Sequence, residues 1–234
     1  MDARSRRLTL AAPAMTIAAI LLTAVPILHP NNTCKDWLEK WGQLHELPLW
    51  LPSHQLATLG FAIAAGTFLM LPYLGRISRT GILASTMLGM GLAAQGMLVL
   101  LHATAVSTLG TAFNAAPDEA TREMYRVIAT AIVNYDVGLS GVASVLMSGG
   151  MIVYAIYLRR LGWMSTAMAV VLAGLGSIWA AQYFGLHRIV GVPTSEWLPY
   201  ISLALWIECI ALILLLRVQR EKPVPALSTE PAAT

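Results

Sequence analysis

GILASTMLGMGLAAQGMLVLLHA, residues 81–103, runs for 23 positions without an Asp, Glu, Lys or Arg and meets a histidine only near its far end. An α-helix rises 1.5 Å per residue, so the run reaches about 34 Å. That is enough to cross a hydrocarbon core of about 30 Å. Five more runs of similar length lie at 8–28, 54–74, 137–158, 164–186 and 197–216. Charged residues make up 12% of the chain, against about 25% in soluble domains, so the charge is missing from long stretches. The expectation is an all-α polytopic membrane protein. Its six transmembrane helices form one bundle over residues 1–218, and a Pro/Ala/Thr-rich tail, 219–234, has too little to bury and is expected to be disordered.

Arg4, Arg6 and Arg7 precede the first run, as they would in a signal peptide. The run is long for that role, and AVPILHPNN offers no small-x-small cleavage site, so it is read as a span. Orientation follows from the basic residues between spans. With the N-terminus inside, the inner segments hold Arg4, Arg6, Arg7, Arg76, Arg79, Arg159, Arg160, Arg217, Arg220 and Lys222. The outer ones hold Lys35, Lys40, Arg122, Arg126 and Arg188. This asymmetry predicts cytoplasmic N- and C-termini in a bacterial plasma (inner) membrane, and long outer loops at 29–53 and 104–136. The net charge of +3 is then a topology signal and gives no reason to expect nucleic acid. Cys34 and Cys209 fall in an outer loop and inside the sixth span, too far apart to pair, and no C-x-x-C occurs.

The first outer loop carries Trp37, Trp41 and Trp50. Trp37 and Trp41, with Leu38 and Leu44 nearby, fit a short amphipathic helix on the bilayer surface or an interfacial aromatic belt. The second contains NAAPDEATREMYRVIATAIVN, in which Pro117-Asp118 followed by Glu119 and Glu123 marks a helix start. A helix from there to Arg159 would measure roughly 60 Å, twice the bilayer. A break at Asn134-Tyr135-Asp136 or Gly138 is therefore expected, leaving an outer amphipathic helix at 118–133 before span four.

Span four opens with Gly138-Leu139-Ser140-Gly141, and this string resembles the nucleophile motif of rhomboid proteases. In that family a sixth-span histidine activates the serine, and a second-span His-x-x-x-Asn binds the oxyanion. Here His54 is followed at the fourth position by Thr58, and WLPYISLALWIECIALILLL holds no histidine. A serine without a base is not a nucleophile. Asp136, Ser140, Ser144 and Ser148, with Gly141, Val145 and Gly149, instead make a small-residue face of the kind that lets helices approach closely. The rhomboid reading is rejected.

Ionisable groups near the spans are the better guide to function, because hydrocarbon makes them costly. Counted from the inner turns, His54, His102 and Asp136 are each about 24 residues away and His187 about 27, so they share one level near the outer interface within roughly 5 Å. His29 closes the first span at that level. Neutral imidazole ligates transition metals and haem iron. His54, His102 and His187 are thus candidate cofactor ligands, with His29 added for a metal, and haem b or a transition metal is the candidate cofactor. Gln95 shares a face with His102, while Trp179, Tyr183 and His187 repeat every fourth residue as an aromatic wall. Histidines also gather at headgroup level without any ligand. Glu208 lies about 14 Å above the inner boundary, where a carboxyl is protonated, paired or functional.

ILHP (27–30), PSHQLATLGF (52–61) and YAIYLRRLGWMSTAMAVVLAGLG (154–176) resemble stretches of uncharacterised bacterial six-span integral membrane proteins. The resemblance implies architecture and no activity. Three readings remain open: a haem- or metal-binding membrane subunit; an intramembrane enzyme or transporter for a lipid-like or small amphiphilic molecule, with Glu208 and Asp136 as acid/base groups; or a non-catalytic accessory subunit. Expected partners are the lipid bilayer and, through small-residue helix faces, other membrane proteins or further copies of the chain.

Overall fold

A computed structural model describes residues 3–29, 38, 41–73, 78–185 and 197–220. Six long helices account for most of them: α1 (Ala3–Leu28), α2 (Trp50–Met70), α3 (Arg79–Leu101), α5 (Glu119–Arg160), α6 (Thr166–Tyr183) and α7 (Leu198–Arg220). The third continues through a π turn, His102–Val106, into a short α4, Ser107–Asn114. Five of these helices are long and apolar enough to cross a membrane, which is the construction of an integral membrane protein. The exception is α2, whose outer end carries Ser53, His54 and Gln55. Cys209 is a free thiol. Cys34, Asn31-Asn32-Thr33, Trp37, His187 and the tail from 221 lie outside the described residues.

The helices pack as a closed ring. Each long helix lies against the next in the chain, and α7 closes the circle against both α6 and α1. Aromatic side chains fill the interior of this ring. Phe68, Tyr154 and Trp206 meet with centroids 5.5–6.0 Å apart, and Trp179 and Phe61 meet Tyr200 at 5.2 and 6.1 Å. Edge-on contacts of this kind match a ring's electropositive rim to its neighbour's face.

Small residues set the close approaches. A Cβ on Gly91 would lie 2.7–3.0 Å from Met147 and the Ala143 carbonyl, fixing α3 against α5. Part of the small face read in the sequence packs against α6: Gly141 lies under the Tyr183 ring, and Ser148 Oγ accepts a hydrogen bond of 3.0 Å from the Ala180 N–H.

Two expectations fail. The predicted break near 134–138 is absent, and α5 runs unbroken for 42 residues. It contains no proline, and one exposed glycine costs a long helix only about 1 kcal/mol. The expected outer loop at 104–136 is consequently a helical hairpin of α4 and the projecting part of α5. Its tip is closed by Asp118, whose carboxylate accepts from the Thr121 N–H at 2.7 Å. Trp41 and Trp50 form no lipid-facing belt, being 7% and 5% exposed. With Leu38 and Leu44 they join Val106, Leu109, Phe113 and Ala129 in a second small core. A Cβ on Gly110 would collide with the backbone of Trp41 and Gly42, so the first outer segment lies hard against α4.

Candidate functional site

Above Tyr200 the aromatic filling stops, and the outer end of the ring opens into a chamber of about 700 Å³. Its walls come from every long helix except α6, together with the outer segment. His29, His54, His102, Gln95, Asp136 and Ser140 supply polar groups, Trp41, Trp50, Trp197 and Tyr200 the aromatic faces, and Val25, Ala57, Leu98, Val99 and Val133 aliphatic patches.

Three of the histidines predicted to share one level also share one place. His29 and His54 have ring centroids 5.0 Å apart. His54 and His102 are 6.0 Å apart with planes inclined by 17°. Trp50 and Trp197 wedge the first of these rings at 5.3 and 5.0 Å, and Trp50 lies 4.3 Å from the His54 ring. His102 Nδ1 faces Asp136 Oδ2 at 4.0 Å, longer than a hydrogen bond but within reach of a small adjustment.

Local chemistry positions each ring. His54 Nδ1 lies 2.7 Å from the Trp50 carbonyl one turn earlier. A carbonyl only accepts, so Nδ1 carries the hydrogen, and in the neutral ring Nε2 is a lone pair. His102 begins the π turn, the kind of helix irregularity that gathers at functional sites. A cluster of hydroxyls accompanies it: Thr104, Ser107, Thr108 and Thr111 bond back to the carbonyls of Leu100, Ala103, Thr104 and Ser107 at 2.8–3.0 Å. Such bonds compete with the regular ladder and bend helices. Trp50 Nε1 reaches across to the same Ala103 carbonyl at 3.2 Å, tying the turn that aims His102 to the helix that holds His54.

The other candidates separate. Ser140 lines the chamber. Glu208 is not a lining residue; it lies eight positions along α7 from Tyr200, with Oε2 buried and unpartnered, so Glu208 and Asp136 do not form one site. The expected wall of Trp179 and Tyr183 is also elsewhere. Trp179 packs on Phe61 in the core, and the Tyr183 hydroxyl donates to the Val137 carbonyl at 2.6 Å. These two aromatics fix α6 to its neighbours, and neither lines the chamber. His187 lies outside the described residues.

Sequence reading missed Trp197 and Tyr200 as lining residues, since nothing in spacing tells an aromatic facing a cavity from one facing lipid. The Ser/Thr run at 104–111 was the available signal for the π turn. No group of three or more His, Cys, Asp or Glu side chains among the described residues is arranged to hold a metal ion, so the haem and metal expectation gains no support. What the chamber offers is an apolar and aromatic enclosure with a few convergent polar atoms, the usual composition of a small-molecule site. No family model, curated protein or solved structure matches this chain.

Proposed function

We propose that the chain is a six-span protein of a bacterial plasma membrane, with both termini cytoplasmic, whose outward chamber receives a lipid-like or small amphiphilic molecule. The observation that carries this reading is the convergence of His29, His54, His102 and Asp136 on one chamber of about 700 Å³, within the range of ligand pockets. The excess of arginine at the inner turns supports the orientation, and the contact of each long helix with the next supports counting α2 among the spans.

An amphiphile suits the walls because the floor at Tyr200, Ala57 and Val99 is aromatic and aliphatic while the imidazoles and Asp136 sit together. His102 beside Asp136 is a carboxylate–imidazole pair, able to take a proton from a bound group or return one. The same pair would serve an intramembrane enzyme or a proton-coupled transporter. Glu208 has no part in this chamber.

Native mass spectrometry of the protein released from mild detergent tests the reading. A retained adduct of a few hundred daltons, lost on replacing His54 and His102 together by leucine, is the expected result. A bare protein mass under every gentle condition defeats it. Metal analysis and an optical spectrum of the same sample discriminate the cofactor reading: a bound metal or a Soret band would replace the amphiphile with a metal or haem centre.

A further inference from the structure

The chamber sets acceptor atoms beside a carboxylate, and the geometry points to a ligand whose headgroup donates hydrogen bonds: a hydroxyl- or amine-bearing amphiphile and not an anionic one. This rests on the chamber reading above and names the class of ligand for it.

Acceptor atoms face the cavity from α2, α3 and α5. His54 spends its Nδ1 hydrogen on the Trp50 carbonyl, and its Nε2 has no partner among the described residues. Asp136 places a carboxylate beside His102 Nδ1, which draws the hydrogen to that nitrogen and leaves Nε2 as the lone pair in the neutral ring. Gln95 is 8% exposed; its side chain bonds with Tyr200, and its buried Oε1 has no hydrogen-bond partner among the described residues. A buried amide oxygen left unpaired costs on the order of 1–3 kcal/mol, so a donor brought into the chamber relieves a standing penalty.

The donors on the walls are neutral: Trp50 Nε1 is already bonded to the Ala103 carbonyl, the Gln95 side chain bonds with Tyr200, and Ser140 offers a hydroxyl. Among the described residues no lysine or arginine lines the walls. A phosphate or carboxylate would find one carboxylate opposing it and, among those residues, no fixed cation.

Tryptophan emission tests this on the full chain in phosphatidylcholine nanodiscs, since Trp41, Trp50 and Trp197 all border the cavity. Three probes share a six-carbon tail: hexane-1,2-diol, hexylamine and hexyl phosphate. The diol, the amine or both are expected to shift the emission saturably, with hexyl phosphate at least roughly tenfold weaker. Replacing Gln95→Leu weakens the binding probe by roughly tenfold, the worth of one hydrogen bond. Asp136→Asn, at a partly exposed position, weakens the amine and spares the diol, so the two headgroups are told apart. Hexyl phosphate binding as tightly as the others, or donor probes indifferent to both substitutions, overturns the assignment and leaves the chamber reading standing. No saturable shift with any probe overturns the chamber reading itself.

Discussion

The half of the helix ring toward the 160–166 turn and the half that holds the chamber, inner and outer in the orientation proposed above, are built from the same helices and treat their interior in opposite ways. Toward the inner side, Phe68, Tyr154 and Trp206 interlock, all three at most 3% exposed, and leave no room for a guest. Toward the outer side the same helices present His29, His54, Gln95 and His102 around open space. The difference lies in the side chains that each helix places at a given level. Large rings from three helices meet at one depth and close the ring. Imidazoles and an amide, each needing a polar partner, hold it open at another.

The contrast should be plainest in stability. Phe68→Ala removes a fully buried ring that touches both Tyr154 and Trp206. Large-to-small changes of this kind cost about 3–5 kcal/mol when the surroundings cannot collapse, and six helices locked in a ring cannot easily do so. Thermal unfolding in detergent should show a larger loss for Phe68→Ala than for any substitution at the chamber wall. Val99→Ala, a truncation at that wall, should cost much less because its neighbour on one side is already empty space. Equal losses at the two positions would mean that the outer half is as tightly packed as the inner.

A smaller effect separates two tryptophans that look equivalent in sequence. Trp206 Nε1 has no hydrogen-bond partner among the described residues, whereas Trp50 Nε1 bonds to the Ala103 carbonyl. Trp50→Phe keeps an aromatic ring but removes that bond, at a cost of about 1 kcal/mol. It should also speed amide exchange through the π turn, 102–106, since one of the two side chains bonded to the Ala103 carbonyl is lost. Faster exchange there, with the inner half of α3 unchanged, would mark Trp50 as the residue that positions His102. Unchanged exchange would assign the turn to its own hydroxyls alone.

What the sequence disclosed and concealed divides along the same line. The spans were legible because a run such as 81–103 has no other comfortable environment, and the common level of His54, His102 and Asp136 followed from counting helix rise. Lateral position was not legible. Spacing gives depth and helix face but not which neighbour lies opposite, so Trp179 and Tyr183 looked as much like site residues as Trp197 and Tyr200 did. The amphipathic pattern around Trp41 was real, yet its apolar side faces α4 and α5, and a face buried by protein has the same sequence as one buried by lipid. The break expected at Gly138 failed for an energetic reason. A lone glycine whose Cβ would meet nothing weakens a helix slightly, and neighbouring turns carry it through.

That unbroken α5 gives the last and smallest test. Its first turns are largely exposed and depend on local interactions: the Asp118 cap, and Arg126 bonded to Glu119 and Glu123 at 2.6 and 2.9 Å and lying over Phe113. The Thr121 N–H holds the Asp118 carboxyl below its ordinary pKa. A carboxyl depressed in the folded state stabilises it fully above the unfolded value of about 3.9, and that contribution disappears as the pH falls through the lower folded value. Asp118 is fully exposed, so the effect is confined to fraying of the first turns and leaves global unfolding unmoved. Asp118→Ala at neutral pH, and the native chain in strong acid, should therefore show the same enhanced proteolysis near residues 115–125. Asp118→Asn, which keeps an accepting oxygen without the charge, should resist at neutral pH and lose the acid dependence. If the asparagine variant frays as readily as the alanine one, the carboxylate's charge and not its hydrogen bond holds the tip.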